Sequence, residues 1–430
     1  MVLKNNEFKD IQLLDISVKK NTVEYSFRCS PNIRDYFPEE KMYIEYSTDI
    51  SKVPKSILAI PFVSNVLPLV WMEKCVLWVE ELDRTFYDSI FRLKSAYQEL
   101  YPNVIFGGRV VSAKLQNNIY NVNRESALLF SGGIDAHVSY LRIKETNPLL
   151  CNIQGWYNYN NKGDVNKAAE QDKKDIEKFS KSNNLQFEFV KSNFARFIYS
   201  IKFDNMYKKS LGDSLWHGFQ HSMNFISICI PIAYLNGIRN IYIASSFNLG
   251  HFGTCASYPT TDIEFKFATY GGCVHDAFEL SRQEKVHYLV EYQKATSKPY
   301  PVRVCSFNDV NCCKCDKCFR SILEIVAENG NVKEFGFDIQ GELQDYFENI
   351  FEKDIINFDV EGESRKHWPD TIKRMKENYK NIKEKKFVDW FLNYDFLEKR
   401  KKALRNYYKD NFWTIIRRKI TEYKATNFKK

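Results

Sequence analysis

Eleven consecutive residues, Ser126-Ala-Leu-Leu-Phe-Ser-Gly-Gly-Ile-Asp-Ala136, set the tightest limits on what this chain folds into. The apolar run Ala127 to Phe130 reads as a buried strand and breaks at Ser131-Gly132-Gly133. After Asp135, apolar residues recur at helical spacing through His137-Val-Ser-Tyr-Leu-Arg-Ile-Lys144. Strand, glycine turn and helix start therefore follow one another within a few residues. Glycines let backbone N–H groups approach a ligand, and the helix dipole adds partial positive charge where they point. An anion, phosphate first, suits such a junction. A plain surface turn is the alternative for Ser-Gly-Gly alone, but the flanking strand and helix favour the phosphate.

With 430 residues, the chain has room for two or three domains and at least one large core. Charged residues at 27% and hydrophobic ones at 44% are ordinary for a folded, soluble protein. No run of about 18 apolar residues appears, and Met1-Val-Leu-Lys-Asn-Asn-Glu-Phe8 lacks the apolar core of a secretion signal. The expectation is a cytoplasmic protein without a membrane span. In that reducing setting, 11 cysteines point to metal binding or catalysis before disulfides.

Residues 1–122 read as a β-rich accessory domain, with short segments at Phe8–Val18, Thr22–Cys29 and Met42–Tyr46. A very apolar stretch runs from Ile60 to Val79, and a helix near Thr85–Tyr97 ends by Pro102. From about residue 123 strands alternate with helices, the pattern of an α/β parallel sheet. Strands fall at Pro148–Ile153, Gln186–Lys191 and Ile241–Ala244, with helices at Val165–Lys181 and Phe225–Leu235. Ligands of open α/β sheets lie beyond the carboxyl ends of the strands, so the loops starting at Ser131, Gln154 and Ser245 should meet at one crevice. Ser281-x-x-Glu284 reads as a helix capping box in preference to a catalytic Glu284.

Cys305, Cys312, Cys315 and Cys318 have the spacing of a tetrahedral, structural Zn2+ site. Cys313 is then the spare thiol. An iron–sulfur cluster or buried free thiols are the competing readings. Residues 331–430 look helical. Within them, residues 371–430 hold 19 Lys+Arg against 7 Asp+Glu, a balance of +12, so the other 370 residues carry 8 − 12 = −4. This basic stretch, including Lys399-Arg-Lys-Lys and Arg417-Arg-Lys, is read as a solvated helical face in preference to a nucleic-acid or membrane surface. Trp390, Trp413 and the pair Tyr407-Tyr408 are read as core.

Leu128-Leu-Phe-Ser-Gly-Gly-Ile-Asp135 resembles the PP-loop of the N-type ATP pyrophosphatases, Ser-Gly-Gly-x-Asp-Ser, with Ala136 in the place of the final Ser. Ser257-Tyr-Pro-Thr-Thr-Asp262, followed by Glu264-Phe265, is similar to the substrate-side segment of the 7-cyano-7-deazaguanine synthases within that family. Those synthases also carry one upstream Cys and then Cys-Gly-x-Cys-x-x-Cys, in the same chain order. The resemblance covers roughly residues 125–330. It implies a HUP-like adenine nucleotide alpha hydrolase fold for residues 123–330, flanked by the accessory domain and by a helical extension at 331–430. ATP would be held by Phe130, Ser131, Gly132, Gly133, Asp135 and Gln154, with Ser131 and Asp135 catalytic and Mg2+ near Asp135. Tyr258, Pro259 and Asp262 would border the substrate.

The implied reaction is adenylation of a small-molecule carboxylate, deazapurine-like in the synthases, and its transfer to ammonia or an amine with release of AMP and pyrophosphate. Two motifs depart from the synthases: Gln154-Gly-Trp-Tyr-Asn158 replaces Asp-Tyr-Gly-Gln, and Gln220-His221-Ser222 replaces Gly-Arg-Asn. Enlarged relatives accompany bacterial antiviral systems (type IV CBASS and Qat), where the resemblance implies conjugation of a deazaguanine to a partner protein. A non-catalytic nucleotide-binding module and sulfur transfer through Cys255 or Cys273 are further readings, and a homodimer stays open.

Overall fold

The computed structural model describes residues 9–156, 162–250, 253–305, 310–358 and 366–413. The chain divides into two compact units, one up to Lys285 and one from Val286 onward.

The first unit is built on an 11-stranded mixed sheet. Its first half comes from β1 (Asp10–Lys19), β2 (Thr22–Cys29), β3 (Lys41–Glu45), β4 (Val76–Asp83) and β5 (Arg109–Gln116), with α1 (Lys55–Glu73) and α2 (Arg84–Leu100) between them. Its second half contains β6 (Arg124–Leu129), α3 (Ile134–Ile143), β7 (Leu149–Gln154), α4 (Lys162–Ser182) and β8 (Phe187–Ser192). These lead through α5 (Phe194–Phe197), α6 (Ser200–Leu211) and a π-helical turn at Trp216–Gln220 into α7 (His221–Leu235) and β9 (Ile238–Ala244). The unit closes with α8 (Pro259–Asp262), β10 (Lys266–Phe267), β11 (Gly271–Asp276) and the start of α9 (Arg282–Thr296).

Strand order is β10-β11-β9-β6-β7-β8-β3-β2-β1-β4-β5. The five strands β11, β9, β6, β7 and β8 are mutually parallel, as strand–helix alternation requires. The boundary expected at residue 122 does not divide the structure. β3 pairs antiparallel with β8 through Ile44↔Ser192 and Glu45↔Lys191, so the N-terminal strands extend the same sheet. Side chains reinforce that seam: the Asn193 amide group donates to the Lys41 carbonyl oxygen and accepts from the Tyr43 N–H, each at 2.9 Å. Both halves also share one hydrophobic core.

The apolar stretch after Ile60 begins inside α1, which is apolar on all sides and therefore buried rather than amphipathic. It has the length and mean hydropathy to cross a membrane, but 89% of its apolar window is buried inside the unit. Asn65 on α1 donates to Asn224 Oδ1 of α7 at 2.9 Å and to the Phe194 carbonyl oxygen at 3.0 Å, satisfying both N–H groups of its amide inside that core. "β-rich" thus describes only part of the N-terminal region, because α1 and α2 supply much of its burial.

The second unit contains α10 (Asp316–Ala327), α11 (Leu343–Asp354), α12 (Trp368–Asn378), α13 (Lys385–Asn393) and α14 (Phe396–Asp410). Phe319 lies at its centre, with the rings of Phe347, Phe351, Phe358, Trp368, Phe391 and Phe396 between 4.7 and 6.4 Å away. The buried carboxylate of Glu328 takes bonds of 2.8–2.9 Å from Arg374 and 2.8 Å from His287. Trp390 packs on Phe351 and Phe387, as expected. Tyr407 and Tyr408 are instead exposed, at 48% and 55%, because α14 buries only Phe396, and Trp413, just past the helix, is 71% exposed. Arg417 and its basic neighbours lie outside the described residues.

Candidate active site and metal centre

β6 hands the chain to the glycine turn in the order the sequence suggests. Phe130 donates its N–H to the Cys151 carbonyl oxygen at 2.8 Å, and its own carbonyl oxygen accepts from Asn152 Nδ2 at 2.9 Å. Its ring is buried and stacks on Phe179, so Phe130 supports the turn from below. Ser131 is exposed. Gly132 has φ +76°, and a Cβ built on it meets nothing within 4 Å, so the backbone conformation alone calls for glycine there and the space above it is open. Gly133 is the N-cap of α3, and no side chain caps that helix. Its first N–H groups therefore face outward, as anion binding requires. Ala136 is buried, away from the open side of the turn. His137 is buried too, and burial pushes its pKa down to about 3.

Asp135 is held by two cations from the start of α9. Arg282 Nη1 lies 2.8 Å from Oδ2, and Lys285 Nζ lies 3.4 Å from Oδ1. The ammonium of Lys285 is buried and also donates to the carbonyl oxygen of Ser245, at the end of β9. Burial pulls the Lys285 pKa down, and Asp135 opposes that pull. The capping box is formed reciprocally: Ser281 N–H donates to Glu284 Oε2 at 2.7 Å, and Glu284 N–H to Ser281 Oγ at 3.2 Å. It fixes the helix turn from which Arg282 and Lys285 project. One carboxylate faced by two cations is a poor seat for a divalent metal, so the residues around Asp135 do not fit Mg2+ in this arrangement. They do fit a polyanion, because a net positive charge remains beside the uncapped helix start.

Gln154 ends β7 and is buried, donating to Asn152 Oδ1 at 2.5 Å and to Asp172 Oδ2 at 2.7 Å. Its Oε1 has no hydrogen-bond partner among the described residues. The next residue, Gly155, has φ +118°, and a Cβ there would sit 1.8 Å from the Ser192 carbonyl oxygen, so only glycine allows β7 and β8 to part at this point. Trp156 then stacks on Trp216 of the π-helical turn, 6.2 Å between centroids.

The Tyr-Pro segment forms the short helix α8, with Tyr258 as its N-cap and Pro259 at its first position. Tyr258 and Pro259 are half-buried. Asp262 is fully buried: it accepts from Ser257 Oγ at 2.9 Å, from His275 Nδ1 at 2.7 Å and from Ser222 Oγ. The structure therefore uses Asp262 to tie α7, α8 and β11 together. The sequence placed Ser222 and the segment from His275 to Lys285 opposite synthase motifs without giving Ser222, His275, Arg282 or Lys285 a role, and it did not single out Asn152 or Asp172. For Arg282 and Lys285 a signal existed, since cations three residues apart just after a capping box share one helix face.

In the second unit, the sulfur atoms of Cys305, Cys312, Cys315 and Cys318 all lie within 4.8 Å of one another, and those of Cys312 and Cys318 are 3.9 Å apart. Four thiolates about 2.3 Å from one Zn2+ stand roughly 3.8 Å from each other in a tetrahedron, so the set fits a closed zinc site. Cys315 is the N-cap of α10 and Cys318 lies in its first turn, where the helix dipole favours thiolates. Asn311 holds the two arms together: its Oδ1 accepts from the N–H groups of Val304 and Cys305, and its Nδ2 donates to Val302 and Gly336. Cys313 stands apart with φ +57°, its burial pushing the thiol up to about 11.

No known protein family, no curated protein and no solved structure matches this chain.

Proposed function

We propose that this chain is an ATP-dependent enzyme of the PP-loop type, similar to the 7-cyano-7-deazaguanine synthases, that adenylates a carboxylate and passes the acyl group to an amine. The observation that carries the reading is the uncapped start of α3 at Gly132 and Gly133, with Lys285 and Arg282 beside it. A triphosphate laid on that turn meets backbone N–H groups and two cations. The same groups would stabilise the charge that builds on pyrophosphate as a substrate carboxylate attacks the α-phosphorus. Asn152 and Gln154 support the turn from the next strand, and the buried Oε1 of Gln154 is an unused acceptor at the same edge.

The substrate we favour is a deazapurine carboxylate, and the acceptor is ammonia or an amine on a partner protein, as the resemblance to the synthase-like antiviral proteins implies. A second reading, nucleotide binding without turnover, is favoured by the capture of Asp135 between Arg282 and Lys285.

Carboxylate-dependent exchange of labelled pyrophosphate into ATP separates the two. We expect exchange with 7-carboxy-7-deazaguanine or a related acid. Lys285→Gln and Gly132→Val should each lower it by about 100-fold, the size of losing one preorganised donor. Nucleotide binding with no exchange for any carboxylate would leave the binding-module reading standing.

A further inference from the structure

The loop after β9 carries a cluster that the phosphate turn does not use. Cys255 is 1% exposed, and its sulfur lies 3.4 Å from His221 Nε2. His217 acts on the same sulfur electrostatically and favours its thiolate. The two imidazole rings face each other, 28° apart in plane and 5.8 Å between centroids.

Each ring is fixed through its other nitrogen. His217 Nδ1 lies 2.8 and 3.0 Å from the two oxygens of Asp213, and the Tyr101 hydroxyl donates to Asp213 Oδ2 at 3.2 Å. His221 Nδ1 faces the Trp216 carbonyl oxygen at 3.3 Å. Both histidines are set by the π-helical turn, a departure from α geometry often found where side chains must be re-aimed. The Ala256 N–H donates to the His217 carbonyl oxygen at 2.8 Å, which locks the Cys255 segment against that turn.

The cluster does not read as a metal site, because the four-cysteine group alone gathers three or more ligand atoms within 4.8 Å of one another among the described residues. It reads as a thiolate beside a pair of stacked histidines, His221 in contact with the sulfur and His217 oriented by a carboxylate. His217 is 46% exposed at its side chain and so connects the buried sulfur to solvent. Topology places the cluster at the right edge. α7 begins at His221 and leads directly into β9, which is parallel to its neighbour β6, so the start of α7 lies at the carboxyl end of the sheet with the glycine turn.

We propose that Cys255 is a nucleophilic cysteine that takes the acyl group from the adenylated carboxylate before the amine does, with His217 as its proton partner and Asp213 as a positioning residue. The inference rests on the adenylation reading above. The thiolate attacks the carbonyl carbon, a C–S bond forms, and the C–O bond to AMP breaks with AMP leaving as its anion. The amine then attacks the thioester, a C–N bond forms, the C–S bond breaks, and the amine's proton leaves through His217, which regenerates the thiolate without any redox change.

The electrostatics agree with this geometry. Burial opposes the Cys255 thiolate, but the bonds and charges of His217 and His221 outweigh it and hold the thiol down to about 6. The bond to Asp213 lifts His217 to about 10. Tyr97 of α2, Tyr101 just after it and Asp204 of α6 are the other titrating groups around the cluster.

The test uses the full zinc-loaded chain and two probes that need no ATP. p-Nitrophenyl acetate should give a burst of one equivalent with acetyl mapped to Cys255, and Cys255→Ser should abolish it. Iodoacetamide labelling of Cys255 should titrate near pH 6, and Asp213→Asn should move that midpoint upward while peptide-resolved hydrogen exchange shows the fold retained. With ATP, Mg2+ and the carboxylate, an acyl adduct on Cys255 labile to neutral hydroxylamine completes the case.

No burst, a burst that survives Cys255→Ser, a midpoint at the ordinary thiol value, or a persulfide on Cys255 in place of an acyl group overturns the inference. If pyrophosphate exchange fails while the burst and the low midpoint are found, the nucleophile stands and only the adenylation reading falls. If exchange is found and Cys255 is inert, the reverse holds.

Discussion

Two groups of cysteines in this molecule use the same element for opposite ends. Around Cys312, four sulfur atoms gather within 4.8 Å of one another. Around Cys255, a single sulfur is enclosed by two imidazoles, one of them backed by a carboxylate. Convergence of like ligands stores negative charge that only a cation relieves, and the helix start at Cys315 helps to bear it. Enclosure by unlike partners leaves the charge on one atom, where it can react. Cysteine count therefore says little about role; the company each sulfur keeps decides it.

The largest expected effect breaks the first group. Cys315→Ser, or a strong chelator, should take bound zinc from one equivalent to none, removing a contribution on the order of 10 kcal/mol from the unit after Val286. Metal analysis with hydrogen exchange across Asp316–Ala327 reads this directly. Labelling of Cys255 should be unchanged in the same sample, and its loss would show that the two groups are not independent.

A smaller effect tests the second group. Asp213→Ala removes the carboxylate from His217, so the Cys255 midpoint should climb from about 6 toward the ordinary value of about 8.5, cutting the thiolate at pH 7 by up to roughly 30-fold. In the unaltered chain the thiolate is present above that midpoint and is lost as pH falls through it, so reactivity should drop below about pH 6. The smallest effect concerns the spare thiol. Cys313 sits in a left-handed conformation where glycine costs nothing, so Cys313→Gly should keep the zinc and change stability by less than about 1 kcal/mol in thermal unfolding.

The same contrast explains what could be read from sequence. The four zinc-type cysteines fall within a short segment, and the capping box at Ser281 and Glu284 spans four residues, so local spacing exposed both. The strand Thr22–Cys29 and the helix after Asp83 were legible for the same reason. Cys255, His217 and Asp213 are brought together only because α7 runs back along the sheet and β9 returns to it. Asp135 meets Arg282 across 147 positions, which no periodicity records. The unity of the first sheet was hidden in the same way, since it depends on two residue pairs joining β3 to β8. Tyr407, Tyr408 and Trp413 show the converse error: aromatic content suggests burial, but a helix with a single buried residue has no core in which to place them.

That two-pair seam has a practical consequence. A chain shortened to begin at residue 123 would keep every motif yet leave β8 as a bare outer strand, its unpaired N–H and C=O groups open to any passing chain. It would also strip α7 of its α1 partner, uncovering Ile228 and its apolar neighbours. Such a fragment should self-associate, so anyone isolating the half that carries the glycine turn needs to carry the first hundred residues with it.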